Sequence, residues 1–308
     1  MKTHNFKQSS FTNEDVKKAL KWTETLVSET GTRLTGTEGC KKAYEIILQR
    51  LKKVCHMVKT QKFTHHRDAF LSAPKLMAIS YIIALVGIWS GGVGNYLSAI
   101  IMVFVSIATL FEFVFYKEFL DPLFRKTDSR NIIGRIVPKK KINKTLIFSA
   151  HYDSPYVFHY LQNFQKKYII ILTMTLLVYF FGVFLSIIAA VYQTQNSTPF
   201  VYDIIWQVVM TMGLIFIIPY YFFITDEVSP GAGDNLIAVS ILLQLAEYFN
   251  NPENTLQNTE LVFLITDAEE SGLRGARAFV KEHRDKLIST PHYNYNMDSL
   301  FSVEHLTY

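Results

Sequence analysis

Four short polar clusters, each at the end of an apolar run, hold the side chains most able to do chemistry. The first is Thr145-Leu-Ile-Phe-Ser-Ala-His-Tyr-Asp-Ser154, a buried-strand pattern running straight into a His-x-Asp. Ligands of open α/β sheets sit outside the carboxyl ends of the strands. His151 is therefore placed to ligate a metal, with Asp153 as the carboxylate that orients it. Alone the signal is weak, because His-x-Asp is common and a lone His is usually a satisfied polar residue. The second cluster, Ser229-Pro-Gly-Ala-Gly-Asp-Asn235, puts Asp234 on a Gly-rich loop before a helix, where capping is the ordinary role. In the third, Glu269-Glu270 follow the apolar run Leu261-Val-Phe-Leu-Ile-Thr266. Adjacent carboxylates at a buried strand end repel unless a cation or a proton is present. The fourth is Asp298, after Tyr293-Asn-Tyr-Asn-Met297.

Taken together, His151, Asp234, Glu270 and Asp298 form a set of nitrogen and oxygen donors without thiolate. Such a set suits zinc, manganese or cobalt. The number of carboxylates points to two metals sharing one bridge, roughly 3.5–4 Å apart. Glu269, next to a ligand but pointing differently, is the candidate base that takes a proton from water.

His151-Tyr-Asp153, Gly233-Asp-Asn235, Asp267-Ala-Glu-Glu-Ser-Gly272 and Met297-Asp298 resemble, in this order, the motifs of the co-catalytic zinc aminopeptidase family. That family includes bacterial leucyl aminopeptidases, glutamate carboxypeptidases and glutaminyl cyclases. Gly31-Thr-Arg-Leu-Thr-Gly36 is similar to its N-terminal motif. The resemblance covers roughly residues 12–70, 128–155 and 229–300. It implies that His151 and Asp298 hold one zinc, that Glu270 holds the other and that Asp234 bridges them. Glu269 would be the base, and Asp153 would orient His151. It also implies a fifth ligand, a His well after Asp298. Neither His292 nor His305 falls where that pattern wants one. The fifth ligand, with a strand and helix around it, is therefore expected beyond Tyr308, and the second metal would be incomplete without it.

These clusters need a sheet and helices to position them, and the rest of the chain supplies the patterns. Residues 12–29 read as an amphipathic helix that Thr12 can cap, with Val16, Leu20 and Val27 on one face. Tyr44, Ile47, Leu48 and Leu51 mark a second helix, and residues 54–64 a strand. Asn131–Val137 and Thr145–Ala150 read as two strands joined by a short turn, which predicts antiparallel pairing. Ile237, Ile241, Leu245 and Phe249 give a helix with an apolar face. Glu260–Thr266 reads as a buried strand, Leu273–His283 as a helix and Asn294–Met297 as a last short strand.

Of the 308 residues, 49% are hydrophobic and only 19% charged, and the apolar excess is local. Leu76–Gly94, Tyr96–Tyr116, Tyr168–Val191 and Phe200–Ile224 each approach the roughly 20 apolar residues needed to cross a bilayer. They form two hairpins, turning at Ser90–Asn95 and at Gln193–Pro199; Pro219 is tolerable within a span. Asp203, at the start of the fourth span, can reach the interface. Lys62, Arg67, Lys75, Lys117, Arg125, Lys126, Lys166 and Lys167 flank the hairpins on the side of the polar segments, and neither turn contains Lys or Arg. The positive-inside rule then puts the polar segments in the cytoplasm. Asn196-Ser-Thr198 fits a glycosylation sequon at chance level. Two Cys, Cys40 and Cys55, argue against a disulfide framework, and their spacing does not resemble that of a Cys-based zinc site.

The expected architecture is α/β, a mixed central sheet with flanking helices, interrupted by two transmembrane hairpins. Residues 1–75, 117–167 and 225–308 would form the peptidase-like part, and 76–116 and 168–224 the hairpins. The expected activity is that of a membrane-embedded metallo-aminopeptidase with two zincs, a peptide substrate with a free N-terminus, a lipid bilayer around its spans and no nucleic-acid partner. The rival readings are a non-catalytic membrane scaffold on a degenerate peptidase fold, and a glutaminyl cyclase-like acyltransferase with one zinc.

Overall fold

The structure is a computed structural model. It describes residues 12–164, 167–195 and 201–300, and the side chains of all of these except 201–203. Lys166, the sequon at Asn196–Thr198, most of the second hairpin turn, the Asp203 side chain and His305 lie outside what is described. In chain order the elements begin with α1 (Asn13–Thr30), α2 (Glu38–Val54), β1 (Met57–His65), the short α3 (Arg67–Phe70), α4 (Ala73–Ser90) and α5 (Val93–Thr109). They continue with β2 (Thr127–Ile136), β3 (Lys144–His151), β4 (Tyr156–Phe158), α6 (His159–Phe164), α7 (Tyr168–Gln195), α8 (Val201–Tyr221) and β5 (Ile224–Val228). The last are α9 (Ile237–Asn250), β6 (Thr259–Thr266), α10 (Arg274–Ser289) and β7 (His292–Asn296). The chain divides into two compact units, one of Met1–His65, Thr127–Pro155 and Val228–Tyr308, the other of His66–Lys126 and Tyr156–Glu227.

The first unit is a mixed five-stranded sheet, in the order β1-β2-β6-β3-β7, with flanking helices. β1, β2 and β6 are antiparallel neighbours, and β3 runs parallel to both β6 and β7. All eight residues of β6 are buried, as its unbroken apolar run predicts for a strand covered on both faces. That strand takes the centre, and this corrects the expected pairing of residues 131–137 with 145–150. β2 and β3 are not neighbours, because β6 lies between them. Their connection instead crosses the start of β6, with Lys139 N donating to Leu256 O (3.3 Å) and Asn143 N to Asn258 O (2.9 Å). β2 still runs opposite to β3. Asn131 and His151 therefore reach the same edge of the sheet, where Ile132 pairs with Ile265 and His151 with Thr266.

Two helical faces also differ from expectation. On α1, Val16 and Leu20 are more than half exposed, and the buried stripe is Ala19, Thr23, Leu26 and Thr30. Small residues win this face because α1 packs closely on α9, where Thr23 Oγ1 donates to Ser240 Oγ at 2.9 Å. On α9 the stripe Ile237, Ile241, Leu245, Phe249 is the partly open side, while Ala238, Val239, Leu242, Leu243 and Ala246 are buried. α9 lies among α1, α2 and the sheet, so nearly its whole circumference joins the main core with Leu26, Ile47, Leu51 and Phe263.

The second unit is built from α4, α5, α7 and α8, and four of its helices are long and apolar enough to cross a membrane. Their outward faces carry large apolar side chains such as Val86, Ile100, Ile170 and Ile215, each more than 60% exposed. Several of their polar side chains turn inward. Ser98 Oγ bonds the Ala84 and Gly94 carbonyls at 2.7 and 2.8 Å, and Ser80 meets Tyr179 at 3.2 Å. The interior is otherwise apolar, with Met77, Leu85, Met102 and Leu185 buried. Apolar side chains thus line both the inside and the outside, unlike a water-soluble bundle, which keeps a polar outer face.

Tyr81 is wedged in the middle of this unit, 1% exposed, donating to Met210 O at 3.0 Å. A Cβ at Gly182 would stand 2.6 Å from its ring, and one at Gly213 would collide with its hydroxyl. Gly213→Ala should therefore lower the thermal midpoint in detergent, at the ~1–3 kcal/mol cost of overpacking. An unchanged midpoint would show that Tyr81 can move aside.

Candidate metal centre

The sheet delivers the candidate residues to one place because three parallel strands end there. β3 ends at His151 itself, β6 leads through Thr266 to Glu269 and Glu270, and β7 leads to Asp298. Asp234 comes from the turn Ala232–Leu236, with φ −126° and ψ 91°, outside helical geometry. It therefore does not cap α9, which starts at Ile237.

His151 is 2% exposed, and its Nε2 faces a ring of carboxylate oxygens. Asp234 Oδ1 lies at 3.2 Å, Asp298 Oδ1 at 3.4 Å and Glu269 Oε2 at 3.8 Å. Glu270 completes a triad in which one ligand atom each from His151, Asp234 and Glu270 lie within 4.8 Å of one another. His151 Nε2 and Asp234 Oδ1 are both buried, and although they face each other at 3.2 Å neither makes a well-directed hydrogen bond. Two orphaned polar atoms side by side are costly in a folded protein. A cation between them relieves both, and an imidazole with carboxylates suits zinc. The donor set fits the metal.

The structure thus brings Asp153, His151, Asp234, Glu269, Glu270 and Asp298 together. It keeps His292 away, because that residue pairs with Thr145 at the opposite end of the sheet from His151. His305 lies outside the described residues. Asp153 contacts His151 and is also used in a second way that its spacing did not suggest. His151 Nδ1 is 3.2 Å from the Asp153 backbone carbonyl and 3.3 Å from its carboxylate. That carboxylate also accepts the Glu269 and Glu270 backbone N–H groups at 3.2 and 3.1 Å. One fully buried side chain therefore fixes the imidazole and both glutamates.

Several supporting residues lack a signal in spacing alone. Asn131 Oδ1 accepts Asp267 N at 3.2 Å, and its Nδ2 donates to Gly275 O at 2.8 Å. Asp267 accepts Ala268 N at 2.8 Å. Together they hold the turn in which Ala268 sits at φ +57°, a left-handed conformation that a residue with a Cβ seldom adopts. Asn235 Nδ2 donates to Met297 O at 2.8 Å and ties the Asp234 turn to the segment before Asp298. Arg33, buried to 0% exposure, bonds carbonyls on both sides of the site. Its only sequence mark was the Gly31–Gly36 motif.

The crowding shows in the acidities. Burial pushes the Glu270 carboxyl up to about 9, with Asp153 and Asp234 adding to it. Burial likewise raises Glu269 to about 7, against the opposing pull of His151. Burial disfavours a charged His151, but the Asp153, Asp234 and Asp298 carboxylates outweigh it and raise its pKa well above 6.5. Contact with His151 in turn lowers Asp298. Like charges this close persist only with a proton or a cation among them.

Residues 219–307 match peptidase family M28. The M28 match is less than a third of the chain; it contains Asp234, Glu269, Glu270 and Asp298 and leaves out His151. No curated protein matches the sequence. Among solved structures, the chain is similar to the glutaminyl cyclase of Fimbriiglobus ruber, at 14% identity and a TM-score of 0.48 over 94% of this chain and 63% of that one. It is also similar to a Zn-dependent exopeptidase from Parabacteroides distasonis, at 14% identity and a TM-score of 0.46 over 92% and 61%. A leucine aminopeptidase precursor from Bacteroides thetaiotaomicron aligns at 12% identity and a TM-score of 0.45 over 92% and 62%. The chain thus spans less than two thirds of the length of each of these proteins.

Proposed function

We propose that this chain is the zinc-binding part of a membrane-embedded aminopeptidase that hydrolyses N-terminal peptide bonds. The observation that carries the reading is the orphaned pair His151 Nε2 and Asp234 Oδ1, inside a ring of carboxylates with Glu269 beside it. His151 and Asp298 would hold one zinc, Glu270 the other, and Asp234 would lie between them. Zinc in such a setting acidifies water and polarises a carbonyl oxygen.

The chain's own residues supply the rest. Glu269, at about 7 and only a quarter exposed, is poised to take a proton near neutral pH and return it to the leaving amine. Asp153 keeps His151 Nε2 turned inward through contacts to Nδ1. It also sets the Glu269–Glu270 backbone, so base and ligand cannot move independently.

The four apolar helices would anchor the protein in a bilayer, with the basic flanking residues, and therefore the α/β part, on the cytoplasmic side. One observation favours a second reading. His151, Asp234 and Glu270 by themselves form a compact single-ion triad, which a one-zinc glutaminyl cyclase-like acyl transfer would use. Elemental analysis of the detergent-purified chain, with release of N-terminal residues from peptides measured alongside, separates the two. About two zincs and residue release support the aminopeptidase; one zinc with cyclisation of N-terminal glutamine supports the alternative. No bound metal and neither activity leave the scaffold reading.

A further inference from the structure

We infer that Arg33 is a positioning residue that clamps the His151 turn to the Asp234 turn and so sets the geometry of the metal centre; the inference rests on the zinc reading above. Its guanidinium spends its donors on backbone carbonyls from three segments. Nε donates to Tyr152 O at 2.9 Å, between His151 and Asp153. Nη1 donates to Pro230 O at 2.7 Å and to Gly31 O at 2.8 Å. Nη2 donates to Gly231 O at 3.0 Å. The backbone adds a reciprocal pair, Arg33 N to Ser154 Oγ at 2.8 Å and Ser154 N to Arg33 O at 3.2 Å.

The guanidinium is thus the bridge between a loop carrying the first candidate ligand and a loop carrying the second. His151 and Asp234 are far apart in sequence, yet their ligand atoms meet at 3.2 Å. The fit around the guanidinium is tight. A Cβ on Gly231, which sits at φ +57°, would stand 2.7 Å from Arg33 Nη2 and 2.7 Å from Ser154 Cβ. None of the named Arg33 partners is a carboxylate, so a plain ion pair does not explain its burial. The planar fork matters because its donors point in fixed directions that an ammonium cannot reproduce. Its charge also lies close enough to Asp153 for that carboxylate to act on it, which offsets part of the negative charge gathered at the site.

The test uses the full chain in detergent, stripped of metal and titrated with zinc against a chromophoric chelator. A parallel titration with cobalt reads the ligand geometry from its visible absorption. Arg33→Lys should lose zinc affinity by about 10- to 100-fold, the usual effect of removing a group that orients ligands, and should alter the cobalt spectrum. Arg33→Ala should lose at least as much and regain affinity when millimolar guanidinium is added, whereas Arg33→Lys should not. Arg135→Met is the structural comparison. Arg135 is also largely buried, pairing with Glu260 at 3.0 Å, but pairs with Val262 in mid-sheet, well before the strand ends that carry the site. It should lower the thermal midpoint and leave zinc affinity alone. Wild-type affinity and an unchanged cobalt spectrum in folded Arg33→Lys overturn the clamp; if Arg33→Ala does not fold, Arg33→Lys still decides. A wild-type chain that binds no zinc overturns the metal reading itself, a different result.

Discussion

Glu269→Gln should abolish peptide hydrolysis and leave zinc content and affinity unchanged. The substitution keeps the size and hydrogen-bonding shape of the side chain but removes its ability to hold and release a proton. Glu269 Oε2 is 3.8 Å from His151 Nε2, near enough to serve whatever is bound beside the imidazole. Burial has already brought its acidity to about 7, close to the optimum for a group that must both accept and donate. Loss of such a group costs about 10²- to 10⁴-fold in turnover, so kcat should collapse while KM moves little. Glu270→Gln should behave differently. Its carboxylate is one corner of the triad with His151 and Asp234, so zinc affinity should fall before turnover is even considered. Retained hydrolysis in Glu269→Gln would remove Glu269 from the mechanism, whatever the metal content.

The residues of this contrast stood out in the sequence, and the reason is physical. A strand buried on both faces has to be a continuous apolar run, so a charged residue at its end is conspicuous. His151 after Ser149-Ala150 and Glu269-Glu270 after Leu261–Thr266 are of this kind, and so is the sheet that presents them. The four apolar helices were equally visible, because no polar stripe interrupts them.

What the sequence concealed depends on partners far along the chain. Nothing in Val16 or Leu20 says that α1 will press its small residues on α9 and leave the larger ones outside. Nor does the short link between residues 137 and 144 reveal that β6 will enter between β2 and β3. Arg33 is hidden for the same reason. Its role consists of carbonyls from residues 31, 152, 230 and 231, and backbone carbonyls leave no mark in residue type.

Removal of metal should make the stability of the α/β part fall as pH rises, opposite to the usual behaviour of carboxylates in folded proteins. Glu269 and Glu270 stand at about 7 and about 9 when folded, against an ordinary 4.5. Between pH 4.5 and 9 the folded chain therefore holds protons that the unfolded chain has released. Stability changes with pH in proportion to protons bound unfolded minus protons bound folded, a negative difference over this window. His151 acts in the same direction. Its raised pKa gives stability that is complete below 6.5 and lost as pH rises through its folded value. Asp298 has the opposite sign, but its lowered pKa confines its effect to pH below about 4, outside the window. The net loss from pH 5.5 to 8.5 should be on the order of a few kcal/mol, since each tenfold step in proton affinity is about 1.4 kcal/mol. Zinc reverses the trend because it binds the deprotonated ligands and takes over the role of the protons. At a thousandfold excess over its dissociation constant it should restore about 4 kcal/mol. The measurement is the thermal midpoint of the chelator-treated chain at pH 5.5 and 8.5, with and without zinc. A metal-free midpoint that climbs with pH would mean the carboxylates do not crowd one another as the structure places them. In Glu270→Gln, which removes the group with the largest raised value, the same plot should flatten, because the proton that stabilised the empty site is then built into the side chain.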